Sequence, residues 1–292
     1  MKFNSLISII IPTLNSERTL EKCLKSIENQ SYQNFEIVIV DGGSIDKTVK
    51  IAKKFNTTVI KVNIKNMSKQ TNIGISNSNG LYIYRIDSDV ILNPMILEKS
   101  IEKCEIEGYD GVCINWIPDE SISFWAKVRK IEKESYVKHL IYVGAIKYDK
   151  NVAGATFLRR DVINSVGGFV ENVPTFGEDF ALFNKLAKSR YQFGVIDVYE
   201  LHIGEPRTLM EIVRKNFKYG YAAKRFLKDQ GLKSGSKQFS PAGRVHQIEA
   251  FKNAFKRDKI LFLGLFIYMI TLYASASIGF GYSIIRRSSY GY

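Results

Sequence analysis

Two aspartates one residue apart, Asp87 and Asp89, directly follow the apolar and aromatic run LYIYRI. If the chain stays extended there, alternation directs both carboxylates to one side while Ser88 points away. Such a pair can hold a hard cation, Mg²⁺ or Mn²⁺, and Mg²⁺ commonly completes its coordination shell with substrate phosphates. The alternative is a polar turn after a strand, because Asp and Ser are favoured in turns.

Strand and helix patterns alternate in the segment that precedes these aspartates. The predicted elements from Leu6 to Lys65 are the strand LISIII, a helix over Glu17–Glu28, the strand FEIVIV, a helix over Asp46–Phe55 and the strand TTVIKV. This alternation of near-continuous apolar strands with helices is typical of a parallel sheet covered on both faces. Ligands bind such sheets at the carboxyl ends of strands, so we expect PTLN, DGGS and DSD to converge on one crevice.

Composition and charge narrow the class of protein. The chain has 292 residues, 45% of them hydrophobic, and a net charge of +13, which indicates a folded protein attracted to nucleic acid, an anionic membrane or phosphorylated substrates. Its cysteines, Cys23, Cys104 and Cys113, show no C-x-x-C spacing, so we expect buried thiols in a reducing compartment. Neither G-x-G-x-x-G nor G-x-x-x-x-G-K-[ST] occurs, which disfavours a dinucleotide or P-loop site.

The first ninety residues resemble the nucleotide-binding half of family 2 glycosyltransferases. The resemblance rests on PTLNSERTLEKCLKSIENQ, FEIVIVDGGSIDKT and KQTNIGISNSNGLYIYRIDSD. It implies the α/β GT-A fold, Rossmann-like, with a mostly parallel central sheet and helices on both faces. It also implies that nucleotide is held by Pro12, Thr13, Asn15, Asp41 and Asp87, and metal by Asp87 and Asp89. Lys69 is the cation near the expected phosphates, and a solvated lysine is the alternative.

Glu178 and Asp179 begin a second acidic motif, at the start of a predicted helix that runs from Ala181 to Ser189. Acids are common in a first helical turn, where the helix dipole favours their ionised form. The pair also resembles the Glu-Asp motif whose aspartate is the catalytic base of inverting members of the family. That resemblance makes Asp179 the base candidate, with an ordinary pKa near ~3.9, and assigns Glu178 to support or acceptor binding. An arginine usual before the following leucine is replaced by Lys185.

The region after this motif supplies further cations. A strand over Gln192–Leu201 ends at His202, and a long helix is predicted from Arg207 to Lys228. By resemblance, His202, Arg207 and Arg214 lie against the diphosphate, although a lone histidine is more often structural. The Q-x-x-R-W motif of processive relatives is absent, which favours addition of a single sugar.

Three further segments complete the prediction of structure. Asp110–Trp116 is a predicted strand, and Asn151–Phe169 a strand and short helix ending in a Gly-Gly-Phe turn. Within Ser121–Lys147, a predicted helical stripe of apolar residues packs on the sheet or faces lipid or an acceptor, and we favour packing.

The last sixty residues predict membrane association. Leu232–Gly243 is rich in Gly, Ser and Lys and indicates a linker, and the next helix has an apolar and a basic face suited to a membrane interface or to docking on the domain. Ile260–Ile285 carries no charge and, at ~1.5 Å per residue, is long enough to span a ~30 Å hydrocarbon core. We predict a single transmembrane helix; the alternatives are a buried hairpin and small residues packing on a partner helix.

The predicted organisation is a GT-A domain over residues 1–230, a linker and interfacial helix over 231–258, a transmembrane helix over 259–287 and a tail over 288–292. The predicted function is that of an inverting, metal-dependent glycosyltransferase on the cytoplasmic side of a membrane. It moves one sugar from a UDP- or GDP-sugar to a hydroxyl of a lipid-linked or other membrane-associated glycan, and no nucleic-acid partner is expected. Two alternatives stay open: a polyprenyl-phosphate sugar synthase, and a non-catalytic membrane scaffold or polyanion-binding protein.

Overall fold

The computed structural model describes residues 3–142, 155–172, 177–186, 189, 191–230 and 246–285. Its described residues form two compact units. The first, here called the sheet unit, holds the chain up to Trp116 and most of the stretch between 155 and Gly204. The second, the helical unit, holds Ile117 to 142, Asn172, Gly177 and the chain from Glu205 onward. The predicted domain boundary at residue 230 stays a prediction, and the predicted linker over Leu232–Gly243 lies outside the described residues.

The sheet unit is built on a mixed sheet. Among the described residues it has eight strands in the order β3-β2-β1-β4-β7-β6-β8-β5. The strands are β1 (Ile7–Thr13), β2 (Phe35–Asp41), β3 (Thr58–Lys61), β4 (Tyr82–Arg85), β5 (Val90–Ile91), β6 (Gly111–Pro118), β7 (Ala155–Arg159) and β8 (Phe193–His202). Pairing is parallel from β3 to β4 and antiparallel between β4 and β7, β7 and β6, and β8 and β5. The α/β prediction is confirmed, but parallel pairing is confined to the half whose strands alternate with helices.

Helices cover both faces of the sheet because the central strands are buried on both sides. They are α1 (Leu20–Glu28), α2 (Thr48–Ala52), α3 (Met67–Ser76), α4 (Ile96–Glu105), α6 (Arg160–Ser165) and α7 (Glu178–Leu186). Ile9 and Ile11 of β1 pack in the cluster that contains Leu24 of α1 and Ile101 of α4. On the other face, a Cβ at Gly74 of α3 would lie 2.5 Å from the Ile10 side chain, so glycine permits close packing there.

The helical unit contains α5 (Phe124–Tyr142), α8 (Leu209–Gln230), α9 (His246–Arg257) and α10 (Lys259–Ile285). Val128 and Ile131 of α5 are buried against Ile212, Ala254 and Leu265 of the other three helices. The predicted apolar stripe therefore packs, as we favoured, but on helices of its own unit. The apolar C-terminal segment is one continuous helix, long and apolar enough by length and composition to cross a membrane.

Candidate active site

The carboxyl ends of β1 and β2 form a hydrogen-bonded pair of loops. Asp41, which is 2% exposed, ends β2 and accepts hydrogen bonds from Thr13 Oγ1 at 3.2 Å and from the Ser44 backbone N–H at 2.9 Å. Gly43, with φ +99°, allows the turn that brings this N–H back to the carboxylate. These hydrogen bonds hold the Asp41 carboxylate in place at the strand end.

Asn15 ties the first loop to the second. It adopts a left-handed conformation with φ 53°, which asparagine tolerates better than most residues. Its backbone N–H donates to Ser44 Oγ at 2.8 Å, and its Oδ1 accepts from the Ile45 N–H at 3.0 Å. Of the other predicted nucleotide-binding residues, Pro12 is buried beside Val40, and Lys69 is exposed in the first turn of α3. Pro12, Thr13, Asn15 and Asp41 therefore meet at one edge, as the strand order requires.

The geometry of Asp87 and Asp89 differs from the extended one assumed from the sequence. β4 ends at Arg85, and Ser88 and Asp89 lie in a turn, with Ser88 Oγ bonded to Ser16 Oγ at 2.8 Å. Asp87 Oδ1 lies 2.9 Å from Arg85 Nη2, and Asp89 Oδ2 lies 3.5 Å from His202 Nε2. The two carboxylates thus follow a strand end as predicted, but Asp87 has Arg85 as its neighbour and Asp89 has His202.

These carboxylates fit a hard divalent cation. Their side chains are 42% and 31% exposed, and both offer oxygen ligands. Within the described ranges, no group of three or more His, Cys, Asp or Glu side chains surrounds one point. A cation held by Asp87 and Asp89 would therefore take its remaining ligands from water and a substrate diphosphate, as Mg²⁺ commonly does.

Arg85 is the central cation of the site, and the sequence analysis missed it. Its side chain is 4% exposed and lies between three acids: Nη2 is 2.9 Å from Asp87 and 3.4 Å from Glu178, and Nη1 is 3.8 Å from Asp179. Its Nε is buried with no hydrogen-bond partner among the described residues. Because an unpaired buried charge is costly, the acids are required for Arg85 to remain inside. The predicted motif at α7 and Asp87 after β4 are therefore joined by one guanidinium.

Burial raises the pKa of Glu178 to about 7, assisted by repulsion from Asp179 and opposed by Arg85. Burial also raises the pKa of Asp179, opposed by Arg85 and assisted by repulsion from Asp87. The expectation of an ordinary Asp179 pKa is corrected here, since partial burial and repulsion from Asp87 outweigh the attraction of Arg85. A pKa shifted toward neutrality makes a carboxylate a stronger general base.

His202 and Gly204 form the wall beside Asp89. The ring of His202 packs on Trp116 at 5.2 Å between centroids, and a Cβ at Gly204 would lie 1.7 Å from Asp89 Oδ2. Arg207 and Arg214 are exposed residues of the helical unit, so their contact with a diphosphate stays a prediction. Lys185, which replaces the usual arginine, donates to the backbone carbonyl of Val166 at 2.9 Å and so fastens the Gly-Gly turn.

The family model described as "Glycosyl transferase family 2" matches residues 8–167. The chain belongs to this family. The matched residues include the loops at Asp41 and Asp87 but end before Glu178 and Asp179. Family membership therefore supports the predicted nucleotide site at Asp41 and Asp87 more directly than the predicted base at Asp179.

Among curated proteins, this family 2 chain is similar to glycosyltransferase GlyG of Streptococcus pneumoniae serotype 4. Identity is 31% over 119 residues, which cover 39% of this chain and 40% of GlyG. It is also 38% identical over 141 residues to a dolichyl N-acetyl-α-D-glucosaminyl phosphate 3-β-D-2,3-diacetamido-2,3-dideoxy-β-D-glucuronosyltransferase of Methanococcus voltae, covering 42% of this chain and 44% of the relative. The chain thus spans less than half the length of both relatives.

Among solved structures, the chain resembles the mannosyltransferase PcManGT from Pyrobaculum calidifontis in complex with GDP-Man and Mn²⁺. The TM-score is 0.60 at 15% identity, with 96% of this chain and 88% of that chain covered. At this identity the likeness establishes the GT-A fold of the family 2 chain and leaves its substrate to chemical argument.

Proposed function

We propose that this chain is an inverting, metal-dependent glycosyltransferase. It moves one sugar from a UDP- or GDP-sugar to a hydroxyl of a membrane-associated, lipid-linked saccharide on the cytoplasmic side. The observation that carries the proposal is the shared position of Asp87, Glu178 and Asp179 around Arg85. This arrangement brings Asp179, the proposed base, next to Asp87, which is proposed to face the donor. A direct displacement requires such proximity of acceptor and donor.

In the proposed reaction, Asp179 accepts the proton of the acceptor hydroxyl as its oxygen attacks the anomeric carbon. The bond from that carbon to the diphosphate oxygen breaks on the opposite face, so configuration inverts. Asp41 and the Asn15 loop hold the nucleoside, and Arg85 fixes the positions of Asp87 and Asp179. Asp87 and Asp89 would hold a divalent metal, which would supply positive charge next to the departing diphosphate.

Two relatives support the choice of substrates. The Methanococcus voltae relative is named for transfer to a lipid-linked sugar, and PcManGT was solved with a nucleotide sugar and Mn²⁺. A hydroxyl acceptor needs a base, whereas a lipid phosphate already carries an anionic nucleophile. The acidic pair at Glu178 and Asp179 therefore favours the saccharide acceptor over bare polyprenyl phosphate.

The test measures nucleoside diphosphate release and sugar transfer by detergent-solubilised protein with UDP- and GDP-sugars. Each donor is combined with Mg²⁺, Mn²⁺ or chelator, and with lipid-linked saccharide or bare polyprenyl phosphate. We expect metal-dependent transfer to the saccharide that falls by ~10²-fold or more in Asp179→Asn, the lower range for loss of a general base, and that is also lost in Asp89→Ala. Asp197→Asn, at a surface carboxylate 80% exposed, is the matched control.

Full transfer by Asp179→Asn would refute the assignment of the base. Transfer to bare polyprenyl phosphate alone would replace the proposed acceptor class by the lipid-phosphate one. Failure to bind UDP or GDP in the presence of metal would refute the enzymatic function and favour a scaffold.

A further inference from the structure

Only one face of α10 is covered within the described part of the helical unit. Its buried positions recur at helical spacing: Leu261, Leu265, Tyr268, Ser275, Gly279 and Ser283. Its exposed positions follow the opposite face and are almost all apolar: Leu263, Phe266, Ile267, Ile270, Ile278 and Ile284. A helix docked on its own domain exposes few apolar side chains, whereas a helix in contact with lipid exposes many. The exposed apolar stripe runs along the whole length of α10 and is typical of a helix in contact with lipid.

The buried face of α10 packs closely on α8. A Cβ at Gly279 would lie 2.1 Å from the backbone oxygen of Phe217, and a Cβ at Gly220 would lie 1.9 Å from that of Ala276. Lys224 Nζ of α8 donates to the Ser283 carbonyl at 3.1 Å. Gly279 of α10 and Gly220 of α8 therefore allow close packing of two helices of the same chain, whereas packing of the small residues on a partner helix stays a prediction.

This packing conflicts with a helix that crosses the bilayer. α8, which packs on α10, carries basic residues along its length, among them Arg214, Lys215, Lys218, Lys224 and Arg225. If α10 crossed the membrane, α8 would be drawn into the hydrocarbon core beside it. Each charged side chain at the centre of a bilayer disfavours insertion by about a hundredfold. A helix pair lying along the surface avoids this penalty, because its basic side chains reach the headgroups.

We propose that the helical unit binds an anionic membrane surface with α10 lying in the plane of the interface. The exposed stripe of α10, together with Ile248 and Phe255 of α9, which are 62% and 58% exposed, enters the boundary between headgroups and acyl chains. Exposed Lys252, Lys256 and Lys259 beside this surface contact anionic headgroups. The net charge of +13 adds long-range attraction.

Charge complementarity selects an anionic lipid surface as the occupant. A second copy of this chain would bring the same lysines against each other, which is unfavourable. The inference rests on the proposed function only in that the acceptor is membrane-associated. Vesicle binding is measured without donor or acceptor, so either proposal can fail while the other stands.

The first experiment is flotation of the full chain with vesicles of phosphatidylcholine, with and without phosphatidylglycerol. We expect binding to the anionic vesicles, weakened about tenfold or more by Phe266→Gln combined with Ile270→Gln, because both side chains lose apolar burial. Ile106→Gln, at a site 61% exposed in the sheet unit, is the matched control and should bind normally. Lys252→Ala and Lys256→Ala should each weaken binding to anionic vesicles about fivefold and leave binding to neutral vesicles unchanged.

The second experiment tests whether α10 lies in the plane of the membrane interface or crosses the bilayer. Ile260→Cys and Ile285→Cys place a thiol at each end of α10, where the native side chains are 66% and 83% exposed, while the native cysteines are buried. With protein added to the outside of sealed vesicles, we expect an impermeant maleimide added outside to label both positions. Labelling from opposite sides would overturn the proposal. So would equal binding to neutral and anionic vesicles, or loss of a dimer in Phe266→Gln/Ile270→Gln with vesicle binding intact.

Discussion

Replacing Arg85 by methionine keeps a long side chain in the buried site and removes the charge that pairs with three acids. Removing one partner of a buried ion pair typically costs about 3–5 kcal/mol, because the other charge is left uncompensated. Here the side chains of Asp87 and Asp179 are 42% and 36% exposed and can be hydrated, whereas that of Glu178 is 13% exposed. We therefore assign most of the loss to Glu178 and expect the low end, about 3 kcal/mol, where Glu178 is ionised.

The expected loss depends on pH in a definite direction. The pKa of Glu178 is raised from 4.5 to about 7 in the folded protein. Protonation of Glu178 therefore contributes its full stabilisation below about pH 4.5, and this stabilisation is lost as the pH rises through about 7. Arg85 opposes this shift, so its removal raises the pKa of Glu178 further. The difference in unfolding free energy between wild type and Arg85→Met should grow as pH rises through this range.

Urea unfolding at one pH unit below and one above the Glu178 pKa tests the reasoning. Trp125→Phe in every protein leaves Trp116, in the sheet unit, as the fluorescent reporter. Arg159→Met is the control: Arg159 pairs with Asp161, whose side chain is 62% exposed, so its loss should cost no more than about 1 kcal/mol. An equal loss for Arg85→Met at both pH values would refute the role given to Glu178, and no loss would refute the cluster as a source of stability.

Two further predictions concern glycines. Gly204→Ala should lower sugar transfer about tenfold or more and raise the Mg²⁺ concentration required. The reason is that the new Cβ would lie 1.7 Å from Asp89 Oδ2 and displace a proposed metal ligand. A titration of the transfer rate with Mg²⁺ measures this effect, and an unchanged titration would contradict it. Gly279→Ala should lower the midpoint of thermal unfolding, because the new Cβ would clash with the Phe217 backbone. Gly281→Ala is the control: a Cβ there would have no atom within 4 Å, so the substitution should be neutral or stabilising by up to about 1 kcal/mol. Equal midpoints for the two variants would contradict the close packing of α8 and α10.

The half of the fold that was predicted correctly is the half in which local pattern determines topology. β1 and β2 are largely apolar, and β1, β2 and β3 are separated by helices. A helix that connects two strands of one sheet favours their parallel pairing. Boundaries were less well predicted: α1 begins at Leu20 and not at Glu17, since Ser16 to Thr19 form a turn in which the Thr19 N–H bonds to the Ser16 carbonyl. The antiparallel pairing of β7 with β4 and β6 joins segments far apart in sequence, and no local period encodes it.

The helical unit shows the same limit on sequence inference. Length and charge correctly predict one long apolar helix over Lys259–Ile285. They give no information about its neighbour, because the contact with α8 depends on Gly220 and Gly279, which are far apart in the chain. A hydropathy pattern therefore identifies a long apolar segment, and the basic residues of α8, which packs on it, bear on how α10 would lie against a membrane.

The acids of the candidate site were found from sequence, and the cation that joins them was not, although the sequence carries a signal for it. Arg85 stands between Tyr84 and Ile86, which are buried, in a strand with apolar neighbours on both sides. A guanidinium there has no route to water and needs carboxylates in the fold. The motifs place the acids that meet this need: Asp87 follows the end of β4, and Glu178 and Asp179 lie at the start of α7. Because one guanidinium pairs with all three acids, the charge on Asp87 and the proton affinity of Asp179 are coupled, and we expect a substitution at Asp87 to change the proton affinity of Asp179 as well.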